Sequence, residues 1–121
     1  MIYKKQTEKL VIAIKVKDFI KTVRGITINL PNKEKVLKDK LIEDSILLLE
    51  YIYKANFTTK DKGEFLVDIL SKISMIDYYL EVVYMDKYLS ERHLNILCKK
   101  LEEITKMVYG WVYSVNKQGN L

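Results

Sequence analysis

The chain has 121 residues with one proline, four glycines and one cysteine, which suits a single domain over residues 1–121 and excludes a disulfide-stapled secreted scaffold. Its net charge of +5 is uneven: residues 1–40 hold eleven Lys/Arg against four Asp/Glu, and residues 41–121 hold ten against twelve. A basic excess confined to the first third points to an anionic partner, nucleic acid before membrane; a solvated lysine-rich face is the plain alternative. The apolar run Leu10 to Ile14 gives way to Lys15, Lys17 and Asp18, too short for a signal segment or a membrane span. A cytoplasmic protein is therefore expected.

No alternation of strand type persists, whereas helical spacing does. The spacing predicts a first helix over 4–24 with Ile12, Val16, Phe19 and Val23 on its apolar side. The same helix carries Lys4, Lys5, Lys9, Lys15, Lys17, Lys21 and Arg24, the candidate contacts for nucleic acid or another polyanion. Gly25 and Pro31 interrupt the pattern, and Asn32 is placed to cap a second helix over 34–56. That helix has Leu37, Leu41, Leu48, Ile52 and Ala55 in its stripe, with Ser45 between Leu41 and Leu48. After the polar turn Thr58 to Lys62, a third helix over 63–86 steps through Leu66, Ile69, Ile73, Ile76, Leu80 and Val83. Ser90 is a cap for the fourth, 91–117, with Leu89 and Leu94 as a staple and Glu91 suited to the helix dipole. Its stripe is Leu94, Leu97, Leu101, Ile104, Val108, Trp111 and Val115. Apolar residues beside the stripes, among them Val11, Ile46, Tyr84, Cys98 and Met107, widen the expected buried face. Short connections between four such helices imply an all-α, antiparallel up-down-up-down bundle.

No catalytic constellation is recognisable. His93 is the sole histidine and cannot by itself bind a metal, and Cys98 reads as a small core residue rather than a nucleophile. Glu102 and Glu103 are adjacent on a helix and diverge. There is no phosphate-binding glycine loop, and two arginines, Arg24 and Arg92, are too few for a mutase-like pocket. The chain reads as a non-enzyme without cofactor or metal. Eight of its nine tyrosines fall on or beside the last three helices; singly they read as the rim of the core, and together they favour an oligomer.

Gly110 stands inside the fourth helix next to Trp111, the only tryptophan, although a helical glycine costs about 1 kcal/mol relative to alanine. A helix end at Gly110 is the competing account, and the unbroken three-four spacing of Val108, Trp111 and Val115 counts against it. The expected role is close packing by a helix or a second subunit, with Tyr109, Gly110, Trp111 and Tyr113 as the contact residues and Trp111 filling the space beside the glycine.

The stretches "IYKANFTTKDKGEFL" (52–66) and "ISMIDYYLEVVYMDKYLSERHLNILCKKLEEITKMVYGWVYSV" (73–115) resemble the four-helix-bundle family of the accessory variability determinant (Avd) of diversity-generating retroelements. Pro31 and "LKDKL" (37–41) fall where that family has its proline and its L-x-x-Q-I/L segment, with Lys40 in place of the glutamine. Lys106 stands where an arginine is frequent. The resemblance is most specific at "KANFT" and "MVYGW" and weakest over residues 1–30. It implies a non-catalytic accessory subunit that forms a positively charged, ring-like homopentamer. It also implies binding to a reverse transcriptase and to template RNA or cDNA in mutagenic retrohoming. The related bundle proteins of 23S rRNA intervening sequences share the fold, and imply the alternative of a protein-interaction module that binds no nucleic acid.

Overall fold

The computed structural model describes Glu8 and residues 10–117. Side chains at three- and four-residue spacing close four α-helices onto a common seam: α1 (Val11–Ile26), α2 (Lys35–Phe57), α3 (Lys62–Met85) and α4 (Glu91–Lys117). No strand occurs among the described residues. Ile12, Val16, Phe19 and Val23 of α1 are buried, as are all six stripe residues of α3. In α2 the buried stripe runs Leu41, Ser45, Leu48, Ile52 and Ala55, with Leu37 half-buried at its start. In α4 every stripe residue is buried except Trp111, which packs half-buried against the core.

Cross-helix pairs fix the directions. Lys15 meets Glu103 and Asp18 meets Lys100, so α1 and α4 run antiparallel. Lys62 meets the Ala55 carbonyl and Lys72 meets Asp44, which sets α3 antiparallel to α2. Lys62 also stands over the Trp111 ring while Asp77 acts on Cys98, which sets α3 antiparallel to α4. The helices pack α1 on α2, α2 on α3, α3 on α4 and α4 on α1, leaving α1 and α3 on opposite corners.

Several ends differ from the sequence expectation. The first helix starts at Val11 rather than near residue 4; Glu8 and Leu10 are not helical, and residues 4–7 and 9 lie outside the described residues. Leu10 is extended (ψ 103°) because Glu8 Oε1 accepts its N–H at 3.2 Å, and the Leu10 carbonyl then accepts the N–H groups of Ala13 and Ile14. Asn32 does not cap α2. It opens a separate 3-10 turn, Asn32–Glu34, and Glu34 precedes the helix without a side-chain cap. Ser90 does cap α4, its Oγ accepting the His93 N–H at 3.1 Å.

The end of α3 is a Schellman turn: the Tyr88 N–H reaches the Val83 carbonyl and the Lys87 N–H reaches that of Tyr84. Lys87 takes φ 57° there, a conformation in which glycine avoids the Cβ clash. Inside the bundle, Asp44 is 4 % exposed and accepts the Tyr79 hydroxyl at 2.9 Å and the Lys72 ammonium at 3.4 Å. Burial and this carboxylate push the Tyr79 hydroxyl up to about 12.

Two substitutions should shift chemical-denaturation midpoints in opposite directions. Asp44→Ala leaves a partly buried phenol and a partly buried ammonium without their acceptor and should cost about 1–3 kcal/mol. Lys87→Gly relieves the left-handed residue and should stabilise by about 1 kcal/mol.

Candidate nucleic-acid interface

Of the seven predicted cationic residues, Lys4, Lys5 and Lys9 lie outside the described residues. The other four do not share one face, because a helix advances 100° per residue and Lys15 stands two positions from Lys17. Lys15 turns toward α4 and pairs with Glu103 at 2.8 Å, which holds its ammonium above the usual lysine range. Lys17, Lys21 and Arg24 fall together on the other side, lining a shallow open depression with Ile20 and Gly25.

Within that trio the charges are unequal. The Lys17 ammonium lies 3.0 Å from Glu8 Oε2 and 5.8 Å from the centre of the Tyr53 ring. Tyr53 donates its hydroxyl to the same carboxylate oxygen at 2.6 Å. The Tyr53 hydroxyl and Glu8 together raise the Lys17 ammonium's affinity for its proton. Among the described residues, neither Lys21 nor Arg24 has a carboxylate within ion-pair distance. The uncompensated charge of α1 is therefore concentrated in its C-terminal half, at Lys21 and Arg24.

Glu8 and Tyr53 were not singled out in the sequence. They are 45 positions apart, and neither helical spacing nor a motif relates them. Their pairing exists only because α1 and α2 pack side by side with Glu8 reaching Lys17 of the one and Tyr53 of the other.

The residues about Gly110 separate as well. Helix α4 continues through Gly110 to Lys117, so the glycine ends nothing. A Cβ built there would meet no atom of the described residues within 4 Å, so no described helix makes the close approach expected at this position. Tyr109 and Tyr113 are 58 % and 69 % exposed on the outer side. Trp111 packs half-buried against the core instead of filling space beside Gly110, and it lines an open depression with Leu10, Ile12, Asn56 and Met107, with the Lys62 ammonium 5.9 Å from its ring centre.

Cys98 is exposed rather than part of the core, and partial burial with the nearby Asp77 pushes its thiol up, away from thiolate chemistry. Val11, Ile46 and Tyr84, read as widening the buried face, are 55 %, 49 % and 60 % exposed. No group of three or more metal-ligating side chains converges among the described residues. No described helix is long and apolar enough to cross a membrane.

The Tyr53 hydroxyl, Lys17 and the Leu10 N–H hold the Glu8 carboxyl at about 2, below its ordinary 4.5. A depressed carboxyl stabilises the fold fully above its unfolded value and loses that contribution as pH falls through its folded one. The Glu8 side-chain carboxyl carbon should thus titrate near pH 2 by NMR, and a midpoint of about 4 would mean that the clasp is open in solution.

No curated protein matches the chain. The family model for bAvd-like proteins matches residues 10–115, which takes in α1, α2, α3 and α4 as far as Val115, with the Lys17–Lys21–Arg24 face and the Gly110 segment. The chain belongs to the bAvd-like family.

Proposed function

We propose that this chain is the non-catalytic accessory subunit of a diversity-generating retroelement, acting in the cytoplasm as one four-helix domain. In this reading it assembles into a ring-like homo-oligomer, a pentamer by family resemblance, and binds the element's reverse transcriptase together with template RNA or cDNA. Membership of the bAvd-like family supports the role. The single observation that carries the nucleic-acid part is the pair Lys21 and Arg24, exposed on one side of α1 with no carboxylate partner among the described residues.

Lys17 flanks this pair with its charge largely compensated by Glu8, and Lys15 contributes through a separate edge shared with α4. Lys4, Lys5 and Lys9 belong to the proposed site by sequence alone. Two or three phosphate contacts per subunit are weak, but repetition around a ring multiplies them through effective concentration. Such contacts release counterions and read no base edges, so binding is salt-dependent and tolerant of sequence. The outer face of Tyr109, Gly110 and Tyr113 is the proposed subunit contact, and Trp111 braces it from the core side.

Compensation of Lys15 and Lys17 within the chain favours a second reading, an intervening-sequence-type module that works through protein partners alone. The two readings part in one experiment. Lys21→Glu with Arg24→Glu should leave the helical circular dichroism intact and weaken single-stranded RNA binding at least tenfold, with a salt slope reduced by about 1–2. Lys15→Glu should weaken it less. Unchanged, salt-insensitive behaviour of all three chains would favour the interaction module.

A further inference from the structure

Lys17, Lys21 and Arg24 stand four and three positions apart, so they climb one side of α1 in steps of about 6 Å and 4.5 Å along its axis. All three line the same shallow depression with Ile20 and Gly25. A row of cations of this kind suits the successive phosphates of a single strand. Lys21 and Arg24 have no carboxylate partner among the described residues, whereas Lys17 does.

The Lys17 partner differs from the others in origin. Every other ion pair of the described residues joins two helical side chains, either within one helix or between packed neighbours. Glu8 precedes α1 and reaches nine positions along it. Its carboxylate is gripped by three donors: the Tyr53 hydroxyl at 2.6 Å and the Lys17 ammonium at 3.0 Å on Oε2, and the Leu10 N–H at 3.2 Å on Oε1. The Lys17 ammonium also faces the Tyr53 ring at 5.8 Å, so its head is held toward α2 and the start of α1.

This contact opens without unfolding anything. Glu8 belongs to no helix, and the Lys17 and Glu8 side chains are 50 % and 27 % exposed, so water takes up both groups on release. The flexible four-carbon stem of a lysine lets its ammonium swing while the backbone stays in place.

We propose that Glu8 and Tyr53 form an autoinhibitory clasp on the anion site of α1. Closed, the clasp withholds Lys17, and the site engages the phosphates of a single strand through Lys21 and Arg24. Open, Lys17 joins them as a third contact. The inference rests on the polyanion-binding part of the reading above and supplies its regulation. It also gives Tyr53 a task that a side chain on the rim of the core does not need, which is to hold a carboxylate against a cation of the neighbouring helix.

The test measures binding of a short fluorescent oligouridine to the full chain by anisotropy across a salt series, with circular dichroism as the check on folding. Glu8→Gln removes the charge and should tighten binding about two- to fivefold. It should also steepen the salt dependence by about 0.7, the increment of one more single-strand phosphate contact. Glu8→Ala is a second way to open the clasp and should do the same. Asp68→Asn makes the same change of net charge on α3, diagonally across from α1, and should leave both quantities near wild type. Glu8→Gln with Lys17→Gln keeps the wild-type net charge and should bind as wild type does, because a withheld Lys17 contributes nothing. Opened chains no tighter than wild type, or no steeper in salt than Asp68→Asn, would overturn the clasp. A neutral double variant well below wild type would mean that Lys17 is already engaged and would overturn it equally. In both cases loss of binding in Lys21→Glu with Arg24→Glu leaves the anion site standing. A wild-type chain that binds no oligouridine at any salt would overturn both.

Discussion

Everything in this protein depends on four apolar seams that have no other place to go. Most helical stability in a folded protein comes from packing an apolar face rather than from intrinsic propensity, so tertiary burial of Phe19, Leu48, Ile76, Leu97 and their neighbours holds the backbone in place. The seams alternate three and four, which suits near-parallel packing, and the short turns enforce alternate directions. Once those two facts hold, the positions of the charges follow. Lys15 and Asp18 must face α4, and Lys17, Lys21 and Arg24 must face away from it.

The resulting surface differs from helix to helix. The far end of α1 is cationic, the outside of α3 carries acidic and apolar side chains with Ser71 and Ser74 among them, and the outside of α4 mixes Lys99, Lys106 and Lys117 with Glu102, Glu103 and two tyrosines around a glycine. The α1 cations left unpaired among the described residues therefore stand apart from the exposed apolar side chains of α3. The same surface gives a physical sense to the tyrosines, four of which (Tyr78, Tyr84, Tyr109 and Tyr113) stand largely in solvent. Aromatic rings with a polar tip tolerate water until a partner covers them.

The bundle was legible because periodicity reports burial directly: nearly every stripe residue read from spacing is in the core. The ends of α1 and α2 were less so, since capping depends on side-chain geometry that composition does not reveal; Asn32 has the right chemistry but opens a 3-10 turn. The candidate site was legible as a list of cations and not as a surface. Spacing places Lys15 and Lys17 on different sides, but only tertiary structure shows that Glu103 and Glu8 take up their charge. Cys98 stands beside the seam of α4 in sequence and just outside it in space. Gly110 was legible as an anomaly, and no atom of the described residues comes within 4 Å of a Cβ placed there.

The buried contact of Asp44 with Tyr79 and Lys72 has a consequence for sliding. Two smooth aliphatic seams can slip past one another by a helical turn, about 5.4 Å, with little loss of apolar burial. A slip of α2 against α3 would carry the Asp44 carboxylate away from both donors and strand it opposite hydrocarbon. The carboxylate thus acts as a detent: one alignment of the two helices is permitted, and the outer side of α3 is presented at one fixed height on the bundle.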